Sequence, residues 1–90
     1  MSHISIEQLS KDARLEKGVA TWDIWEKEPS TFPYEYDSEE QFYIDKGDAV
    51  LTTEAGESYH IKKGDFVTIP KGFSCTWTIN KTVKKHYRFV

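Results

Sequence analysis

From Val19 onward the chain alternates short runs rich in β-branched and aromatic residues with clusters of turn-forming ones. The runs are VATWDIWEK (19–27), TFPYEY (31–36), QFYID (41–45), DAVLTT (48–53), ESYHIK (57–62), DFVTIP (65–70), SCTWTI (74–79) and KHYRFV (85–90). Such composition suits pleated, half-buried strands. Between them stand Glu28-Pro29-Ser30, Lys46-Gly47-Asp48, Glu54-Ala55-Gly56, Lys63-Gly64-Asp65, Lys71-Gly72 and Asn80-Lys81, which read as turns. No interval is long enough for a crossover helix, so a parallel sheet is excluded. Short strands at this spacing predict an all-β, antiparallel sandwich or barrel.

Side chains alternate faces along a strand, so parity sorts them. Ala49, Leu51 and Thr53 share one face, and Tyr59 and Ile61 share a face opposite His60. In the last run Lys85, Tyr87 and Phe89 alternate with His86 and Arg88. Two aromatic residues on its face predict that Lys85 points inward, and an inward ammonium needs a partner. His60 and His86 fall on the opposite faces, at surface or dimer-interface positions, and His3 lies in a tail. Trp22 and Trp25 have opposite parity, which predicts one over the barrel and the other at an interface. Ahead of the strands, Ile6, Leu9 and Ala13 recur at helical spacing, Ser5-x-x-Gln8 has the form of a capping box, and Gly18 is a stop signal. Residues 1–18 therefore read as an N-terminal segment, a short helix or turn packed outside a domain of residues 19–90.

Composition narrows the function classes. Ninety residues make one core. Three Trp, five Tyr and five Phe supply much of its bulk despite modest aliphatic content. The net charge is −3 and the only basic cluster is Lys81, Lys84, Lys85 and Arg88, which argues against a nucleic-acid partner. No apolar run approaches a membrane span, and the first residues lack the apolar stretch of a secretory signal. A single cysteine, Cys75, excludes an internal disulfide and suits a reducing compartment, so the expected location is cytoplasmic.

Two stretches resemble the paired motifs of the cupins. YEYDSEEQFYIDKG (Tyr34 to Gly47) keeps the glutamate of the first motif at Glu40, followed by six residues and then Gly47. Tyr34 and Tyr36 stand where that motif places its two histidines. In GDFVTIPKGFSC, Gly64, Pro70 and Gly72 match the second motif, and Cys75 takes the place of its histidine. The phrases TWDIWEKEPSTFPYEYDSEEQFYIDKGD and KKGDFVTIPKGFSCTWTINKTVKKHYRF look like the small single-domain cupins grouped with the cupin domain of ureidoglycine aminohydrolase. The ethanolamine-utilisation cupin is a more distant likeness. The resemblance covers about residues 19–90 and implies a jelly-roll β-barrel, commonly a homodimer. It implies no reaction, because a fold hosts many.

The departures decide the chemistry. An imidazole-built divalent site needs neutral nitrogen donors, and phenols with ordinary pKa values near ~10 make poor substitutes. With Tyr34, Tyr36, Glu40 and Cys75 at those positions, no metal and no cofactor is expected. Glu40 is either a buried carboxylate satisfied by Lys85 or tyrosine hydroxyls, or a general acid/base. Lys85 is its counter-ion, and it either anchors a substrate carboxylate, acts as an amine nucleophile, or forms a structural ion pair. Cys75 is expected to line the pocket as a small hydrophobe rather than act as a thiolate. Tyr34, Tyr36, Trp77 and Tyr87 are the candidate walls. Inward phenols need partners, which favours a polar cavity over a dry core.

Three functions compete. One is a pocket that binds a small polar metabolite, a carboxylate with an amino, ureido or hydroxyl group. A second is metal-independent proton transfer, with Glu40 as acid/base and Lys85 stabilising the anion. The third is a dimeric interaction module without catalysis.

Overall fold

The computed structural model describes residues 4–90; His3 lies outside them. Seven strands form one antiparallel sheet: β1 Ser5–Gln8, β2 Asp23–Lys27, β3 Thr31–Glu35, β4 Glu40–Thr52, β5 Ser58–Lys62, β6 Asp65–Ile69 and β7 Ser74–Phe89. A helix, α1 (Lys11–Lys17), and a 3-10 turn, Val19–Thr21, lie between β1 and β2. Two long strands, β4 and β7, pair along nearly their whole length. Each carries two shorter partners, one per half. The first half of β4 takes β6 and the second takes β5, while β7 takes β3 on its first half and β2 on its second. Bent in the middle and closed by these partners, the sheet curls into a jelly-roll barrel.

The bend corrects two expected turns. Lys46-Gly47-Asp48 and Asn80-Lys81 do not separate strands; they lie inside β4 and β7, where the pairing register shifts three times between Ile44 and Ala49. Bulges turn a strand without ending it. Gly47 permits this at φ +105, where a Cβ would sit 2.3 Å from the Thr82 carbonyl oxygen. The bulges also reset parity: Glu40, Phe42 and Ile44 point inward before them, and Ala49 and Leu51 after them. The other four turn signals do connect strands.

The N-terminal segment needs a second correction. Ser5 and Gln8 are not a capping box but the ends of β1, which lies against the edge of β6. Ile6, Leu9 and Ala13 therefore share no helical face. The helix starts later, where the Ser10 hydroxyl accepts the Ala13 N–H at 3.1 Å. Gly18 ends it in the left-handed region at φ 70, as its position suggested. The run from Val19 is 3-10 at first and becomes strand only at Asp23.

The barrel interior is packed by Phe42, Ile44, Leu51, Ile61, Val67, Ile69, Trp77 and Val83, all essentially buried. A smaller cluster, Val19, Tyr43 and Phe66 with Leu9 and Trp22, covers the outer face of the sheet beneath the N-terminal segment. Trp25 packs on the interior cluster and Trp22 on the outer one against Phe66, so the ring expected at an interface is placed beside the chain's own N-terminal segment.

Candidate functional site

A cavity of about 140 Å³ opens at one end of the barrel. Glu40, the first residue of β4, and Lys85, in the second half of β7, both line it. They are 2% and 5% exposed, and Lys85 Nζ donates to Glu40 Oε2 at 2.9 Å. The inward lysine predicted from parity has the partner it needs. Sheet register and burial put the pair on one inward face: Lys85 stands opposite Ile44 on β4, four residues along from Glu40, and both side chains extend along the strands to meet.

Four rings surround the ammonium. Nζ lies 4.2 Å from the centroid of Phe42, 4.8 Å from Trp25, 5.0 Å from Trp77 and 5.6 Å from Tyr87. Ring faces attract a cation, more strongly where water is displaced. Burial lowers the Lys85 pKa from the ordinary lysine range, and the Glu40 carboxylate pulls it back up through its charge and hydrogen bond. The rings favour the charged form as well.

The remaining walls are aromatic. Phe32 stacks on Trp77 with planes 7° apart, and Trp25 meets Trp77 edge-on at 5.9 Å. Trp77 Nε1 donates to the Tyr36 hydroxyl at 3.1 Å, giving the buried phenol a partner. Burial, and then the charge of Glu40, push the Tyr36 pKa above the ordinary phenol range. Tyr34 stands at the rim, 41% exposed, against the Tyr36 ring at 4.5 Å, and its pKa is raised for the same two reasons.

Of the seven residues singled out in the sequence, Glu40, Lys85, Tyr34, Tyr36, Trp77 and Tyr87 line this cavity together. Cys75 does not. It is packed in the barrel interior beside a separate, wider groove between β3, Thr52–Glu54 and the start of β7. Burial pushes its thiol up to about 11, against a smaller opposing pull from Lys85, so it is neutral near pH 7. Trp25, Phe32, Phe42 and Phe89 complete the cage or the walls without having been singled out as site residues. Phe42 shares the parity of Glu40 and Phe89 that of Lys85, so alternation contained that signal. Trp25 reaches the site because β2 places it opposite Lys85, a pairing that local sequence does not carry. His60 and His86 stand away from the cavity, bound at 2.6 Å to Asp48 and Asp45 respectively.

The model of the EutQ-like cupin domain matches residues 14–87. The chain belongs to the EutQ-like cupin family. A crystal structure of a DUF861 family protein from Thermotoga maritima is similar to this cupin, with 43% identity and a TM-score of 0.95, covering 98% of this chain and 100% of that one. A DUF861 protein of unknown function from Pseudomonas syringae pv. tomato is 28% identical with a TM-score of 0.67; the match covers 74% of this cupin and 29% of that chain. The EutQ protein of Clostridium difficile shares the fold at 18% identity and a TM-score of 0.68, over 98% of this chain and 68% of that one. No curated protein matches.

Many cupins hold a divalent ion at the positions that Tyr34, Tyr36, Glu40 and Cys75 occupy here. The donor set does not fit one. Glu40 Oε2 is engaged by an ammonium, the Tyr36 oxygen accepts an indole N–H and holds its proton firmly, and the Cys75 thiol is neutral. Among the described residues no three His, Cys, Asp or Glu side chains cluster as metal ligands. Lys85 Nζ is the group that engages the carboxylate in this corner of the barrel.

Proposed function

We propose that this cupin binds a small polar metabolite in the barrel cavity, through a carboxylate that faces Lys85 and an amino, ureido or hydroxyl group that faces Glu40. The observation that carries this reading is the buried Glu40–Lys85 pair at 2.9 Å in the wall of an aromatic cavity. The pair is neutral as a whole. A ligand that brings only an anion leaves Glu40 with a repulsive neighbour in a dry site, whereas one that also brings a donor satisfies both ends. Aromatic walls exclude water and strengthen those contacts. The cavity volume limits the ligand to a few heavy atoms beyond its carboxylate.

Proton transfer is the second reading. It is favoured by Glu40 Oε1, which among the described residues has no protein partner and so is left for a ligand proton. A thermal-shift screen of amino, ureido and hydroxy acids tests the first reading. At a hundred times its dissociation constant a ligand stabilises by about 2.7 kcal/mol, on the order of 10–20 °C for a domain of this size. Loss of that shift in the double variant Glu40→Gln/Lys85→Met supports the cavity as the site. A shift of equal size in the double variant would place the ligand elsewhere.

A further inference from the structure

A second cleft lies on the outside of the barrel, where α1 and the 3-10 turn cross the paired strands β4 and β7. It measures about 360 Å³ and shares no lining residue with the barrel cavity. Its walls are mostly carbon, from Leu15, Val19, Ala20 and the ring of Tyr43. Two cations, Lys11 and Arg14, stand at its edge. The Arg14 guanidinium lies 5.0 Å over the Tyr43 ring, and its Nε is shut off from solvent with no acceptor among the described residues. Asp45, the carboxylate in this wall, is held by His86 Nδ1 at 2.6 Å rather than by Arg14. The cleft thus combines an apolar body, a guanidinium short of acceptors and a carboxylate already engaged.

We propose that this cleft binds a small apolar monocarboxylate, an aromatic or short aliphatic acid. Its carboxylate meets Arg14 and Lys11, and its body lies against Leu15, Val19 and Tyr43. Charge complementarity selects this occupant. A guanidinium recognises a carboxylate with two parallel hydrogen bonds, which the terminal nitrogens of Arg14 can supply while its shielded Nε stays covered. The volume falls within the range of small-molecule pockets. A neutral apolar molecule would fill the same walls but leave Arg14 as it is.

The test is an NMR titration of the isotope-labelled full chain with benzoate, using benzyl alcohol as the neutral control. Benzoate is expected to shift the Arg14 Nε–H, Tyr43 and His86 resonances saturably and to leave the Trp77 indole N–H unmoved. Benzyl alcohol should bind at least tenfold more weakly, Arg14→Gln should weaken benzoate at least tenfold, and Lys11→Gln should weaken it less. If Arg14→Gln disturbs the fold, the comparison of benzoate with benzyl alcohol on the wild type decides alone. The proposal is overturned by no saturable shift in the cleft, by shifts confined to the barrel cavity, or by equal affinity for the alcohol. It is also overturned if the cleft resonances move on dilution without ligand, which would mean that a second copy of the chain occupies the cleft.

Discussion

Replacing Glu40 by Gln keeps the shape of the side chain and removes its charge, leaving a lysine that is 5% exposed without its carboxylate. Breaking one side of a buried ion pair costs about 3–5 kcal/mol. Two features of the site bound that figure. The rings at 4.2 to 5.6 Å remain and continue to favour the ammonium, each by about 0.5–2 kcal/mol. Lys85 also has an escape: giving up its proton at pH 7 from an ordinary value of 10.5 costs about 5 kcal/mol, which is a ceiling. The loss is therefore expected near 3 kcal/mol. Urea unfolding followed by tryptophan fluorescence, on the wild type, Glu40→Gln, Lys85→Met and the double variant, gives the coupling. The double variant should lie within about 1–2 kcal/mol of the wild type, because an apolar side chain then replaces the buried charge. The pH dependence has a definite sign. In Glu40→Gln, Lys85 loses the carboxylate that raises its pKa, and desolvation holds it below 10.5. Between that folded value and 10.5 the unfolded chain binds a proton that the folded chain lacks, so stability rises with pH across the window. The double variant lacks this rise. A Glu40→Gln protein within 1 kcal/mol of the wild type, or a double variant as unstable as the two single losses added, would refute the buried-pair reading.

Two further outcomes follow from particular contacts. Gly47→Ala puts a Cβ 2.3 Å from the Thr82 oxygen and 2.7 Å from Val83 Cα at φ +105, so it should cost at least about 2 kcal/mol, read as a fall in melting temperature. Cys75, with its thiol raised to about 11, should react with a disulfide reagent at pH 8 more than about 100-fold slower in the native protein than in urea; equal rates would mean an exposed thiolate.

The sequence carried the strands and most of the cavity because both depend on alternation, a local property. Glu40 and Lys85 were legible as inward charges, one from motif position and one from the aromatic residues that share its face. What alternation misses depends on pairing between distant segments. Trp25 joins the cage only because β2 lies opposite the end of β7, and Cys75, although its register partner Tyr34 lines the cavity, packs into the interior cluster with Tyr36 and Trp77 instead of reaching the wall. Gly47 and Asn80-Lys81 signalled turns because bulges use the same residues as turns. Only the long β4–β7 ladder shows that the chain bends there and continues. The helix start at Ser10 was missed for a related reason: β1 borrows its stability from the edge of β6, so Ser5 to Gln8 follow a partner rather than their own spacing.

If the cavity takes a carboxylate as proposed, an ammonium in place of a metal sets what this barrel can hold. A divalent ion gathers several ligand atoms at once, whereas Lys85 has three N–H donors in all. One is given to Glu40 Oε2, which leaves two for an incoming carboxylate inside the ring cage. Such a head is held by two charge-assisted hydrogen bonds at most. Discrimination must therefore come from Glu40, whose other oxygen accepts a donor or repels a second anion. Affinity from so few contacts is modest unless the walls limit water, and the ring surface that Trp25, Phe32, Trp77 and Tyr87 present around the pair is what would do so. Selectivity should accordingly fail first in variants of Glu40 and affinity first in variants of the aromatic walls, a separation that a metal corner, where one ion supplies both, does not produce.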